Sequence, residues 1–324
     1  MKVFTETIDG IDGTKARLDC YVIDNSEEMD TKRKRVGVLL IPGGGCEMTS
    51  DREAEPVALR LLSYGYNVFI LRYSCWPSVF PVSFLQAAEA MHRIRTNAEE
   101  WHVDPHAVAV MGFSAGGHLA GLLTTQFDAP ELTKAGYKPE EMRPDAAILG
   151  YSVLDAGKWT HHSSIEHLVG KDKASDPAII DRLSLQKHVS SHTPPVFLWH
   201  TATDDTVPVQ NSLMFASSCV ENNVPVELHI FPQGGHGLSL GTREDAISGW
   251  HNYGIEPAIQ PWPRLMRAWM SRLFPHDDYV TGGVPVAGST ASNPWGGSDI
   301  SDESASSNES ASSDKSSTSD SAEK

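Results

Sequence analysis

Residues 107–120 read AVAVMGFSAGGHLA. An apolar run without polar alternation ends at Phe113, as in a strand covered on both faces. An Ala/Leu-rich stretch opens at Ala115, and its pattern predicts a helix over residues 115–125. Between them Gly112-Phe113-Ser114-Ala115-Gly116 has the spacing G-x-S-x-G. Glycine is needed on both flanks of so sharp a turn because the backbones close in on each other. The serine is then held above the sheet edge in a strained conformation. The first amides of the helix point toward the same place. An ordinary strand-to-helix turn is the bland alternative; a strand before and a helix after favour a nucleophile elbow.

Working outward, five more short apolar runs predict strands at residues 35–41, 67–73, 146–151, 195–200 and 226–231. Helical patterns lie at 53–63, 83–101, 208–221 and 262–274. Strands alternating with helices predict an α/β fold, a mostly parallel sheet with helices on both faces. Two earlier segments, 3–8 and 15–23, are expected to form an antiparallel pair at one edge. Residues 154–192 look too polar and irregular for a simple crossover and are read as a candidate lid or pocket wall.

A serine is a weak nucleophile until a base, itself held by an acid, takes its proton. In an α/β sheet the partners come from loops at the carboxyl ends of strands, in the order serine, acid, histidine. The loop after residues 195–200 contains two carboxylates, Asp204 and Asp205, and Asp155 follows a neighbouring strand. Spacing alone leaves these three open. His236 sits in PQGGHG after the last strand, in a glycine-rich turn that lets an imidazole reach the sheet edge. His118, inside the helix after the elbow, is expected to pack or hydrogen-bond. The loose spacing of His161, His162 and His167 invites a metal reading, which is disfavoured.

The first central strand runs into Pro42-Gly43-Gly44-Gly45-Cys46. Attack on an acyl carbon builds negative charge on the carbonyl oxygen. Gly43 and Gly44, with the amide of Ala115, are the expected oxyanion donors, each worth about 3 kcal/mol in the transition state. A phosphate loop is disfavoured, since neither G-x-x-x-x-G-K-[ST] nor G-x-G-x-x-G is present. Cys46 has no apparent base and reads as a pocket-wall residue.

Composition narrows the classes. The chain has 324 residues, 26 basic against 42 acidic, for a formal net charge of -16. That sign opposes docking to nucleic acid or anionic lipid. The longest apolar run is far short of a membrane span, and MKVFTETIDG has no leader-like apolar stretch. The four cysteines (Cys20, Cys46, Cys75, Cys219) are scattered and read as reduced thiols. A cytoplasmic location is therefore expected. Residues 298–324 hold 12 serines, 7 acids and 2 lysines. So little apolar surface predicts a disordered, acidic, Ser-rich tail over 281–324, leaving 1–280 as the catalytic domain.

Taken together, PGGGCEMTSDREAEPVA, FILRYS, GFSAGGHLA, WHTATDDTVPVQNS and FPQGGHGLS resemble the α/β-hydrolase superfamily. The likeness is to the branch of small acetylesterases and lipase-like esterases related to hormone-sensitive lipase and acetylxylan esterases. It covers roughly residues 35–274. The resemblance implies an α/β-hydrolase fold and a triad of Ser114, Asp204 and His236. It also implies a serine carboxylesterase acting on a small-molecule ester with a short acyl group, first of all an acetylated sugar or xylo-oligosaccharide. No metal or organic cofactor is expected, and no oligomeric state is assigned. Pro42 stands where many relatives have histidine, which leaves the glycine amides as donors. Where residues 154–192 and the loop at 75–81 close over the serine, bulky Trp76, Phe80 and Trp159 would shorten the acyl pocket; the alternative is that they are core aromatics. The competing readings are a peptidase or amidase on the same fold and a non-catalytic binding protein.

Overall fold

Each apolar run expected to be a strand is one in the computed structural model, which describes residues 1–249 and 253–275. In chain order the elements begin β1 (Lys2–Asp9), β2 (Lys15–Val22), β3 (Arg35–Ile41), α1 (Glu55–Leu62), β4 (Asn67–Arg72) and α2 (Val82–Thr96). Then follow β5 (Val103–Phe113), α3 (Ser114–Thr125), α4 (Pro130–Lys134), α5 (Pro139–Met142) and β6 (Ala146–Gly150). The remainder is α6 (His162–Val169), α7 (Pro177–Leu183), β7 (Val196–Thr201), α8 (Gln210–Glu221), β8 (Val226–Phe231) and α9 (Trp262–Leu273). The expected tail, 281–324, lies outside the described residues.

The sheet has eight strands in the order β1-β2-β4-β3-β5-β6-β7-β8. β1 pairs antiparallel with β2, and β2 with β4; β3 through β8 run parallel. The chain winds from β3 outward to β4, crosses back to β5, and continues the other way through β8. The winding therefore reverses between β3 and β5, whose ends meet where Ile41 pairs with Gly112. A reversal of that kind opens a crevice at the carboxyl ends of the strands, where such sheets bind ligands. The glycine loop follows one of these two strands and the elbow follows the other.

Side chains alternate across the sheet as the strand period demands. Leu39 and Ile41 of β3 face the core formed with α2, α3 and α8, while Val36, Val38 and Leu40 face that formed with α1 and α9. All twelve residues of α3 are buried, so small residues dominate its packing faces. The face beneath β5 to β8 is aromatic. Trp199 stacks on Trp262 at 5.2 Å and 14°, and Phe113 meets Trp262 at 5.9 Å.

Three features differ from expectation. α2 stops at Thr96, five residues early, where the Asn97 side chain takes the Arg93 carbonyl at 2.9 Å and the chain turns. β5 starts at Val103, because a register shift beside Arg35 accommodates Asp104-Pro105-His106. Residues 154–192 are more regular than they read, holding α6, α7 and a 3-10 turn.

Candidate active site

Ser114 is the first residue of α3, and its φ of +51° lies in the left-handed region that non-glycine residues avoid. Its neighbours explain why the turn survives. A Cβ on Gly116 would stand 2.2 Å from the Pro42 carbonyl oxygen, and one on Gly112 would stand 2.4 Å from that of Gly116. The elbow is thus wedged against the glycine loop, and only glycine fits between them. Strain of this sort costs on the order of 1–3 kcal/mol and persists only where packing imposes it.

The Ser114 hydroxyl lies 2.7 Å from His236 Nε2, and His236 Nδ1 lies 2.8 Å from Asp204 Oδ2. Asp204 Oδ1 accepts the amides of Thr206 (3.0 Å) and Val207 (2.8 Å). His200 Nε2, which donates to the Val207 carbonyl at 2.9 Å, also stands 3.3 Å from Asp204 Oδ2. Burial by itself would raise the Asp204 pKa. The hydrogen bonds from His200 and His236, with the charge of His236, outweigh it and hold the carboxyl well below the usual range. An ionised Asp204 only accepts, so the imidazole proton sits on Nδ1 and Nε2 is left as the acceptor for the serine.

Asp205 points elsewhere and is exposed; its contact is the Thr206 hydroxyl at 3.3 Å. Asp155 is buried against the Trp159 amide (2.9 Å) and the Gln186 side chain (2.9 Å), away from the imidazole. Of the three carboxylates that spacing left open, the structure brings Asp204 to the histidine.

One expected donor is corrected. The Gly43 N–H is given to Glu53 Oε2 at 2.7 Å, so it is not available to an oxyanion. The amides of Gly44 and Ala115 have no acceptor among the described residues. Glu53, Tyr151 and His200 were not singled out from the sequence. His200 had a readable signal, a strand-end histidine four residues before an acid. Glu53 had none, because burial of an acid cannot be read from DREAEP.

The remaining residues take structural places. His118 is buried, donates Nδ1–H to the Val153 carbonyl at 2.9 Å, and has its pKa pushed down by burial to about 4. Cys46 is buried, and burial pushes its thiol up to about 12. His161 Nδ1 meets the Ser164 hydroxyl at 2.8 Å, and His167 Nδ1 donates to the Gly45 carbonyl at 2.9 Å. α6 is thereby fastened to the glycine loop. The loop at 75–81 joins it there, through Trp76 N–H to the Cys46 carbonyl (2.8 Å) and Phe80 N–H to the Leu168 carbonyl (2.7 Å).

The family model described as BD-FAE matches residues 19–218. An endo-1,4-beta-xylanase B of Butyrivibrio fibrisolvens is 36% identical over 233 residues, 70% of this chain and 36% of that protein. An acetylxylan esterase of Xylanibacter ruminicola is 30% identical over 240 residues, 73% of this chain and 46% of that protein. The chain spans less than half the length of either curated relative. An acetyl ester-xyloside bifunctional hydrolase from Caldicellulosiruptor lactoaceticus has a solved structure 36% identical to this chain. The match covers 80% of this chain and 88% of that one, with a TM-score of 0.69.

Proposed function

Because the chain belongs to the BD-FAE family, within an esterase branch of the α/β-hydrolase superfamily, we propose that it is a serine carboxylesterase. Its substrates are short-chain, chiefly acetyl, esters of sugars or xylo-oligosaccharides. The observation that carries this reading is the continuous line from Ser114 Oγ through the imidazole to Asp204, with bonds of 2.7 Å and 2.8 Å. Neither an exposed loop serine nor a packing histidine would need both.

In the reaction the Ser114 oxygen attacks the acyl carbon while His236 Nε2 takes its proton. The carbonyl oxygen becomes an oxyanion, and the amides of Gly44 and Ala115 donate to it. As the C–O bond to the alcohol breaks, the imidazolium returns the proton to the leaving oxygen. Water, deprotonated by the same nitrogen, then attacks the acyl-enzyme and releases the acid and the serine. Asp204 stays ionised throughout and offsets the charge on the imidazolium.

The short-acyl preference is supported by what is fastened to the glycine loop. α6 and the loop bearing Trp76 and Phe80 form a wall beside it, in keeping with residues 154–192 as a pocket insertion. The sugar alcohol is supported by the names of the relatives. The cytoplasm is the compartment we propose, in keeping with four free thiols.

A p-nitrophenyl series from acetate to decanoate, beside acetylated xylo-oligosaccharides, tests the reading on the native chain and on Ser114→Ala. Acetate should be turned over fastest. Ser114→Ala should lose many orders of magnitude, leaving at most about 10³–10⁴ over water. Full turnover in Ser114→Ala would sink the mechanism, and faster decanoate turnover would sink the short-acyl reading.

A further inference from the structure

Glu53 has no part in the reaction as written, yet it is a buried acid, 4% exposed, directly behind the glycine loop. Its two oxygens are both used. Oε2 accepts the Gly43 amide at 2.7 Å, and Oε1 accepts the Tyr151 hydroxyl at 2.8 Å. The Tyr151 oxygen in turn accepts the Ser239 amide at 2.9 Å, three residues past His236. The Ser239 hydroxyl closes the circuit on the carbonyl of Arg52 at 2.7 Å. One carboxylate therefore joins the loop after β3, the residue after β6 and the loop after β8.

Each end of this network touches the chemistry. A Cβ on Gly43 would stand 2.8 Å from both Glu53 Oε2 and Ser114 Cβ, so this peptide is clamped between the acid and the serine. The Gly43 carbonyl is held as well, by the Ser50 amide at 2.8 Å. With both polar groups of Gly43 committed, its orientation is fixed, and the next amide, Gly44, is the one left for an oxyanion. At the other end the Tyr151 ring lies edge-on to the His236 imidazole, with centroids 5.2 Å apart at 75°. Tyr151 keeps that pose at a φ of +35°, which a bulky residue holds only under constraint.

We propose that Glu53 is a positioning residue that sets the glycine loop and the histidine loop in register through its bonds to Gly43 and Tyr151. The inference rests on the esterase reading above. Loss of either bond should misplace donors or base by a fraction of an ångström without altering the pocket that binds substrate. The signature is a fall in kcat at nearly constant KM.

The test uses the full chain and p-nitrophenyl acetate, with Glu53→Gln, Tyr151→Phe, the double variant and Ser114→Ala assayed together. Glu53→Gln keeps the shape but turns a donor toward one of two donors. Tyr151→Phe keeps the ring on His236 and removes only the hydroxyl. Each should lower kcat by about 10–100-fold with KM within about threefold, and the double variant should be no worse than the poorer single one. If Glu53→Gln does not fold, Tyr151→Phe alone carries the kcat-against-KM readout. Native kcat in the folded variants, a change confined to thermal stability, or additive losses in the double variant would each overturn the proposal. Activity in Ser114→Ala would instead remove the esterase reading, which separates the two failures.

Discussion

Two buried carboxylates flank the serine–histidine pair, and they are pushed in opposite directions. Asp204, in the loop after β7, is held ionised; Glu53, behind the loop after β3, has its pKa raised. Desolvation is the largest influence on both, and it acts the same way on both. What differs is the number of donors. Four reach Asp204, from Thr206, Val207, His236 and His200. Two reach Glu53, from Gly43 and Tyr151, and with the charge of His236 they do not overcome burial. The lesson is that an acid near a serine is not thereby the acid of a triad. Donor count sets which way burial is answered, and geometry decides whether the acid meets the imidazole.

The largest expected effect breaks the Asp204 side of this comparison. Asp204→Asn keeps the shape but presents an amide that can donate to Nδ1, favouring the wrong imidazole tautomer. Turnover should fall by up to about 10⁴, with KM little changed. Steady-state kinetics on an acetate ester check it. Near-normal kcat would mean that the imidazole is held by something other than Asp204.

How much of this was legible in the sequence follows the same division. Ser114 and His236 were readable because the roles proposed for them demand local peculiarities that sequence records: glycines around a sharp turn, a strand before, a helix after. The strands were readable because a sheet covered on both faces forces unbroken apolar runs such as residues 35–41. Asp204 needed the family resemblance, since two adjacent aspartates look alike until the backbone turns one inward. The Gly43 assignment failed because a glycine loop announces exposed amides without saying which are already taken. The acid that takes this one is ten residues away and bonds through a side chain. Glu53 and Tyr151 become partners only when β3 and β6 are brought into one sheet, and neither residue type nor spacing encodes that meeting. α6 was missed for a related reason. Its eight residues bury Ser164, Ile165, Leu168 and Val169, too short a stripe to stand out from polar surroundings.

A second effect, of intermediate size, sharpens the contrast through pH. Asp204 has its folded pKa depressed. It contributes stability that is present above the unfolded carboxylate value of about 3.9 and lost as pH falls through the folded value. Glu53 has its folded pKa raised. Its contribution is fully present below about 4.3 and is lost as pH rises through the folded value. Melting temperatures of the native chain, Asp204→Asn and Glu53→Gln, followed from about pH 3 to about pH 7, should show this. The native advantage over Asp204→Asn should grow with pH, and that over Glu53→Gln should shrink. Each 1 kcal/mol corresponds to about 2–4 °C in a domain of this size. Slopes of the same sign would mean that the two sites are not electrostatically opposed.

The smallest expected effect is at the neighbour of the proposed triad acid. Asp205 carries the same charge as Asp204 and follows it directly, so a purely electrostatic account of the loop would give it a share of the work. The structure gives it little to do. Its side chain is exposed, its contact is a 3.3 Å bond from the Thr206 hydroxyl, and among the described residues no donor fixes it toward His236. Successive residues of a turning segment project differently, and the amides of Thr206 and Val207 are aimed at Asp204 instead. A solvated carboxylate at this distance is screened by water and salt. Asp205→Asn should therefore change stability by under about 0.5 kcal/mol and kcat by less than about twofold. The check is a direct comparison with Asp204→Asn on one acetate ester at low and at physiological salt. A collapse of kcat in Asp205→Asn would exchange the two assignments. A moderate loss that disappears at high salt would show that the loop acts on His236 through net charge as well as through the bond from Nδ1.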